Sequence, residues 1–325
     1  MNLPKTSLAM LAAVALQSAT AATVNMNADD AVNTSSFNSA LHWADGFAPS
    51  AANDYQNNNF LLRTPGDATT AYTFGGASLL ITSANATLGG DLNDALIFKG
   101  TLSGNTTITI NNLTVNGGAL RNGSGDANSF TLAGSSLTVG SLGMAVHVQG
   151  PLFSTSPVGG SGEIRIMANG SASAARVYHF ANSANTFNGS INLVNATQSR
   201  FALDSGANLN FVIGAAGVNN KVFGAGVAAF NGLFNLDLSE ASAGLGDTWT
   251  LVDNNTLAES FGATFSVAGF TDLGGDLWQT SANGVGYQFS EVTGVLSVVP
   301  VPEPSSMAFL LGGVVALIRR RRKQA

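Results

Sequence analysis

The chain contains no cysteine, which excludes disulfides, thiolate metal sites and a cysteine nucleophile. Charge is scarce: 10% of residues are charged, against about 25% in an ordinary globular chain. Lysine occurs four times in 325 residues. That poverty argues against a helical fold, whose exposed faces normally carry Lys and Glu. Only three histidines occur, His42, His147 and His179, and no two have a metal-ligand spacing. Neither a G-x-S-x-G elbow nor a G-x-x-x-x-G-K-[ST] phosphate loop is found. Long hydrophobic runs are missing too, the two apolar stretches being Leu8 to Leu16 and Ser305 to Ile318. Basic charge is displaced to the ends, at Lys5 and Arg319 to Lys323. The body between them holds seven cations against eighteen acids, a net of −11. That balance excludes a nucleic-acid binder.

What remains is apolar residues (45%), 38 Gly and 32 Asn, too apolar for a disordered chain. The stretch from Met1 to Ala21 reads as a signal peptide: Lys5 supplies the charge, Leu8 to Leu16 the apolar stretch, and Ala19-Thr20-Ala21 the cleavage pattern. Cleavage is expected at Ala21, or at Ala22 one residue later, and the export machinery is of the Sec type. At the other end Pro300, Pro302 and Pro304 hold the chain extended. The fourteen residues Ser305 to Ile318 follow, a helix of about 21 Å at 1.5 Å per residue. The hydrocarbon core is about 30 Å, so the anchor is short and relies on the snorkelling Arg319, Arg320, Arg321, Arg322 and Lys323. Those charges hold that flank in the cytoplasm and leave the body outside.

Val301-Pro302-Glu303-Pro304-Ser305-Ser306, an apolar segment and an Arg cluster together resemble the PEP-CTERM sorting signal of Gram-negative bacteria. The resemblance covers about 26 of the 325 residues. It implies processing in trans by an exosortase, a membrane Cys transpeptidase, with cleavage near Pro302-Glu303-Pro304. It also implies an envelope or extracellular-matrix destination, with extracellular polysaccharide as a candidate partner. The alternative is a simple tail anchor.

Between the ends, β-rich runs alternate apolar and polar residues at Ser78 to Ile81, Thr107 to Ile110, Ser136 to Val139, Glu163 to Ile166 and Ser190 to Leu193. The five starts are almost evenly spaced along the chain, as coils in a solenoid would be. Asn116-Gly117-Gly118, Asn122-Gly123 and Asn169-Gly170 supply corners, and stacked Asn can form amide ladders. Ala184-Asn185-Thr186-Phe187-Asn188-Gly189-Ser190-Ile191 resembles the repeats of autotransporter passengers, which are right-handed β-helices. The fold expected is all-β: a right-handed parallel β-helix over 78–235, an N-terminal β cap over 22–77, and a small antiparallel unit over 236–299. The sorting signal with one C-terminal hydrophobic helix occupies 300–325. A pair of β-sandwiches is the structural competitor.

Candidate chemistry is thin. Asp91 with Asp94, and Asp272 with Asp276 near Trp278, are carboxylate pairs that suit turns first, a Ca²⁺ ion second, and glycoside hydrolysis third. Trp249, Trp278 and Tyr287 suit a hydrophobic core better than a sugar-stacking platform. No catalytic residue, metal or cofactor is expected. The function expected is a structural or adhesive surface protein, with a β-helix polysaccharide lyase or hydrolase, and then a glycan-binding module, as alternatives.

Overall fold

A computed structural model describes residues 21–67, 70–83, 94–100, 104–168 and 173–301. The signal peptide apart from Ala21, together with Asp91, Pro302, Glu303, Pro304, the C-terminal apolar segment and Arg319 to Lys323, lies outside the described residues. Within them there are 29 strands and no helix.

The chain winds round three parallel sheets in turn. The first is built from Ala22–Asn25, Asn53–Gln56, Ser78–Thr82, Asn112–Asn116, Ser136–Val139 and Val158–Gly160. The second runs from Leu62–Arg63 through Ala95–Phe98, Ala119–Asn122, Met144–Val148, Ile164–Ala168 and Ile191–Leu193 to Val222–Gly224. The third has eight strands, from Ala71–Thr73 to Ala258–Phe261. After Val158–Gly160 the first side continues through 185–188, whose Thr186 and Phe187 amides donate to the Val158 carbonyl. It resumes with Asn208–Val212, Leu233–Asp237 and Ser266–Val267. The body is thus a parallel β-solenoid in which each coil covers the apolar edge of the one before it.

Alternation places the core. In Ser78–Thr82 the buried residues are Leu79 and Ile81, and in Asn112–Asn116 they are Leu113 and Val115, paired with them in register. Aromatic side chains continue this stacking along the third side. Phe201 and Phe230 lie 6.3 Å apart, and Phe230 lies 5.1 Å from Phe261. Asn fills the corners: Asn185 and Asn208 exchange side-chain and main-chain hydrogen bonds at 2.8 to 3.0 Å. Asn235 donates to the Asn210 side chain of the coil below, a true amide rung.

The even spacing read from the sequence is not the coil length. Its five runs fall on the first, third, first, second and second sheets respectively. In the first sheet successive strands begin at Asn53, Ser78, Asn112, Ser136 and Val158. The coil from Ser78 to Asn112 is therefore much longer than the coil from Ser136 to Val158. Strands of all three sides share one alternating pattern, so the sequence does not say which side a run belongs to.

Residues 53–73, placed in the expected cap, form a complete coil paired with the next one on every side. Ahead of it, Met26, Phe37 and Trp43 are buried, Trp43 against Tyr55 and Phe37 against Phe74, and close the end of the core. At the other end an antiparallel sheet of Thr248–Thr250, Val295–Val299, Val285–Ser290, Leu277–Ala282 and Thr271–Asp272 covers the last coils. Parallel strands Ala258–Phe261 and Ser266–Val267 run within the same stretch of sequence.

Candidate functional site

Of the carboxylates singled out from the sequence, Asp94, Asp272 and Asp276 lie among the described residues. Asp94 is buried and accepts a hydrogen bond from Ser83 Oγ at 2.7 Å. Asp272 and Asp276 are exposed on a hairpin whose turn needs Gly274 and Gly275 at positive φ, and Asp272 caps it by accepting from the Gly274 amide at 2.7 Å. A third acid joins them that the sequence reading overlooked, Glu291, whose carboxylate accepts from Trp278 Nε1 at 2.6 Å. Burial, followed by the charges of Asp276 and Asp272, raises the Glu291 carboxyl above its ordinary range. Among the described residues no three His, Asp or Glu side chains converge as a metal site would require.

Of the aromatic candidates, Trp249 is fully buried, with Nε1 donating to the Gly214 and Ala215 carbonyls. Tyr287 is buried beside it at 6.3 Å. Trp278 is half-buried against Phe265. The first two therefore have no ring face to offer. Of the histidines, His42 approaches Asp30 at 4.0 Å. His179 is stacked on Phe153 and bonded through Nδ1 to Asp204 at 2.8 Å. No hydroxyl of the described residues hydrogen-bonds to its other nitrogen, so this pair is not a triad.

A cavity of about 750 Å³ lies elsewhere among the described residues, on the outer face of the second sheet. Three of the seven body cations, Arg63, Lys99 and Arg121, line it. Winding brings them together from separate coils: Arg63 pairs in register with Ile97, and Ile97 with Arg121. Strands are spaced about 4.8 Å apart, so the backbones of the two arginines stand about 10 Å apart, with Lys99 just past the end of the strand between them. Lys99 Nζ donates to the Gly123 carbonyl at 2.6 Å, and Arg63 Nε to the Asp30 carbonyl at 2.9 Å. Arg121 Nε is buried with no hydrogen-bond partner.

Carboxylates pair with other cations: Glu163 with Arg165, Asp126 with Arg176, and Asp253 with Lys221. Among the described residues no carboxylate lies within 4 Å of Arg63, Lys99 or Arg121. The nearby Asp30 carboxylate is occupied by the Ser36 amide and hydroxyl and by the Arg63 amide. Asp67 also lines the cavity, its carboxylate bonded to the Tyr72 hydroxyl. Burial, then the charges of Arg63 and Arg121, lowers the Lys99 ammonium below its ordinary value. Burial followed by Arg63 does the same to Arg121.

Beside the cavity the outer face of the sheet is unusually dry. Ala95, Ile97, Ala119, Ala145 and Met167 form a second apolar cluster there. His147, in register with Arg121, is 8% exposed. The alternation of His147 with Val146 and Val148 reads in sequence as a solvated face. Here both faces of the strand are buried, so its ring is neutral, pushed down to about 4 by burial and then by Arg121.

Residues 300–323 match the family model of the PEP-CTERM protein-sorting motif. No curated protein and no solved structure matches the chain. The chain therefore carries a PEP-CTERM sorting signal behind an all-β body, which implies an exported protein, held transiently at the membrane and processed by an exosortase.

Proposed function

We propose that this is a non-catalytic envelope protein: a signal peptide exports it, the tail holds it at the inner membrane, and exosortase cleavage near Pro302-Glu303-Pro304 releases the solenoid to the cell surface or extracellular matrix. The observation that carries the reading is the sorting motif at 300–323. The body supports a structural or adhesive role, because it offers a long, cysteine-free, acidic surface on a rigid core. Among the described residues its carboxylates cap turns, pair with cations or gather at the Asp272 hairpin. We also assign the coil a right-handed winding, the hand that parallel crossovers take.

Intact mass and C-terminal peptide mapping of the protein recovered from its native envelope test this. The mature chain should begin at Ala22 or one residue later and end near Pro302. A chain that still carries Arg319 to Lys323 is a retained tail anchor, and the sorting reading then fails.

A further inference from the structure

We propose that the cavity lined by Arg63, Lys99 and Arg121 is a binding site for an acidic oligosaccharide, a glycan bearing carboxylate or sulfate groups. The inference stands on this cavity and holds whether or not the tail is removed.

Concentrating cations is costly in this chain, which has seven in its body against eighteen acids. Three of the seven line one cavity with no carboxylate within 4 Å among the described residues, while Arg165, Arg176 and Lys221 each have one. Like charges held together in a partly desolvated space destabilise the fold unless an anion balances them. The lowered Lys99 and Arg121 values reflect burial first and that repulsion second. With Asp67 counted, the cavity carries a net charge of +2, opposite in sign to the body. Arg121 Nε is a buried donor with no protein acceptor, and such a donor is expensive unless something else accepts from it.

Size and lining select the class of anion. The volume falls in the range of small-molecule sites, roughly 300 to 1,000 Å³. The backbones of the two arginines are about two strand spacings apart, roughly 10 Å. Three cations rooted on separate coils suit charges on successive units of a chain better than one compact ion. Asn33, Thr34, Ser35 and Ser124 add amide and hydroxyl groups for sugar hydroxyls. Among the described residues no aromatic side chain lines the cavity, so a nucleobase would find no described ring to stack on.

The test is calorimetric titration of the full chain, purified in mild detergent at about 50 mM salt, with tetragalacturonate, a neutral tetrasaccharide, sulfate and phosphate. Tetragalacturonate should bind, the neutral sugar should not, and the affinity should fall several-fold between about 50 and 200 mM salt as the charges are screened. Lys99→Gln and Arg121→Gln should each weaken binding at least tenfold, whereas Lys99→Arg keeps the charge and Lys221→Gln lies outside the cavity, so both should retain it. Thermal melts of every variant separate loss of the site from loss of the fold. Absence of binding at low salt overturns the proposal, as does binding that survives Lys99→Gln and Arg121→Gln together. Sulfate or phosphate binding without tetragalacturonate also overturns it, since the site would then hold a simple ion only.

Discussion

His147 offers a direct measure of how dry the outer face of the second sheet is. Its ring is 8% exposed and its pKa falls from 6.5 to about 4, first through burial and then through the charge of Arg121. In the unfolded chain it takes up a proton near pH 6.5, while in the folded chain it stays neutral down to about pH 4. Between those values the unfolded state binds more protons, so stability rises with pH. The contribution is fully present above pH 6.5 and is lost as the pH falls to 4. At 1.36 kcal/mol per pH unit the loss is about 3 kcal/mol. Imidazole NMR reads the midpoint directly, because only three histidines need assignment and His147→Gln identifies the signal. Denaturant midpoints at pH 7 and pH 4 read the energy, and His147→Gln should remove about 3 kcal/mol of the wild-type loss. Arg121→Gln should raise the midpoint by removing the second cause. A midpoint near 6.5, or an identical acid loss in His147→Gln, would refute the reasoning.

Three further outcomes are expected. Phe230→Ala, in contact with Phe201, Phe234 and Phe261, should cost about 3 to 5 kcal/mol by denaturant titration, as large-to-small core changes do. Gly134 turns the corner at φ +143°, where a Cβ would lie 1.9 Å from the Ile110 carbonyl oxygen. Gly134→Ala should lower the melting temperature by several degrees, equivalent to about 1 to 3 kcal/mol of strain, and an unchanged melt would contradict the corner geometry. Glu303→Ala should leave the body's melt unaltered while the tail stays on the chain, read by intact mass; normal trimming would show that Pro302-Glu303-Pro304 does not direct processing.

Strand content was legible because alternation is local: Leu79 and Ile81, or Leu113 and Val115, announce a buried side within a single short run. The antiparallel strands Thr248–Thr250, Leu277–Ala282, Val285–Ser290 and Val295–Val299 were legible for the same reason, with glycine turns between them, but Ser266–Val267 reads as one of that series and pairs in parallel with the coil instead. Coil length was not. A run such as Thr107 to Ile110 looks the same whether it lies on the first side or the third, and corners range from short turns to long loops. His147 looked solvated because alternation cannot reveal that a strand is covered on both faces. Glu291 was missed because it reaches Trp278 only across a hairpin pair.

Taken alone, the sequence determined the class of fold, the sorting address and the exclusion of cysteine chemistry, for these rest on composition, short-range periodicity and a contiguous motif. Only the tertiary structure decided which isolated residues share a site. Arg63, Lys99 and Arg121 look like stray charges along the chain. They meet because each circuit of a parallel solenoid advances one strand spacing, whatever the length of the loops it contains, so register rather than sequence distance sets what lies beside what.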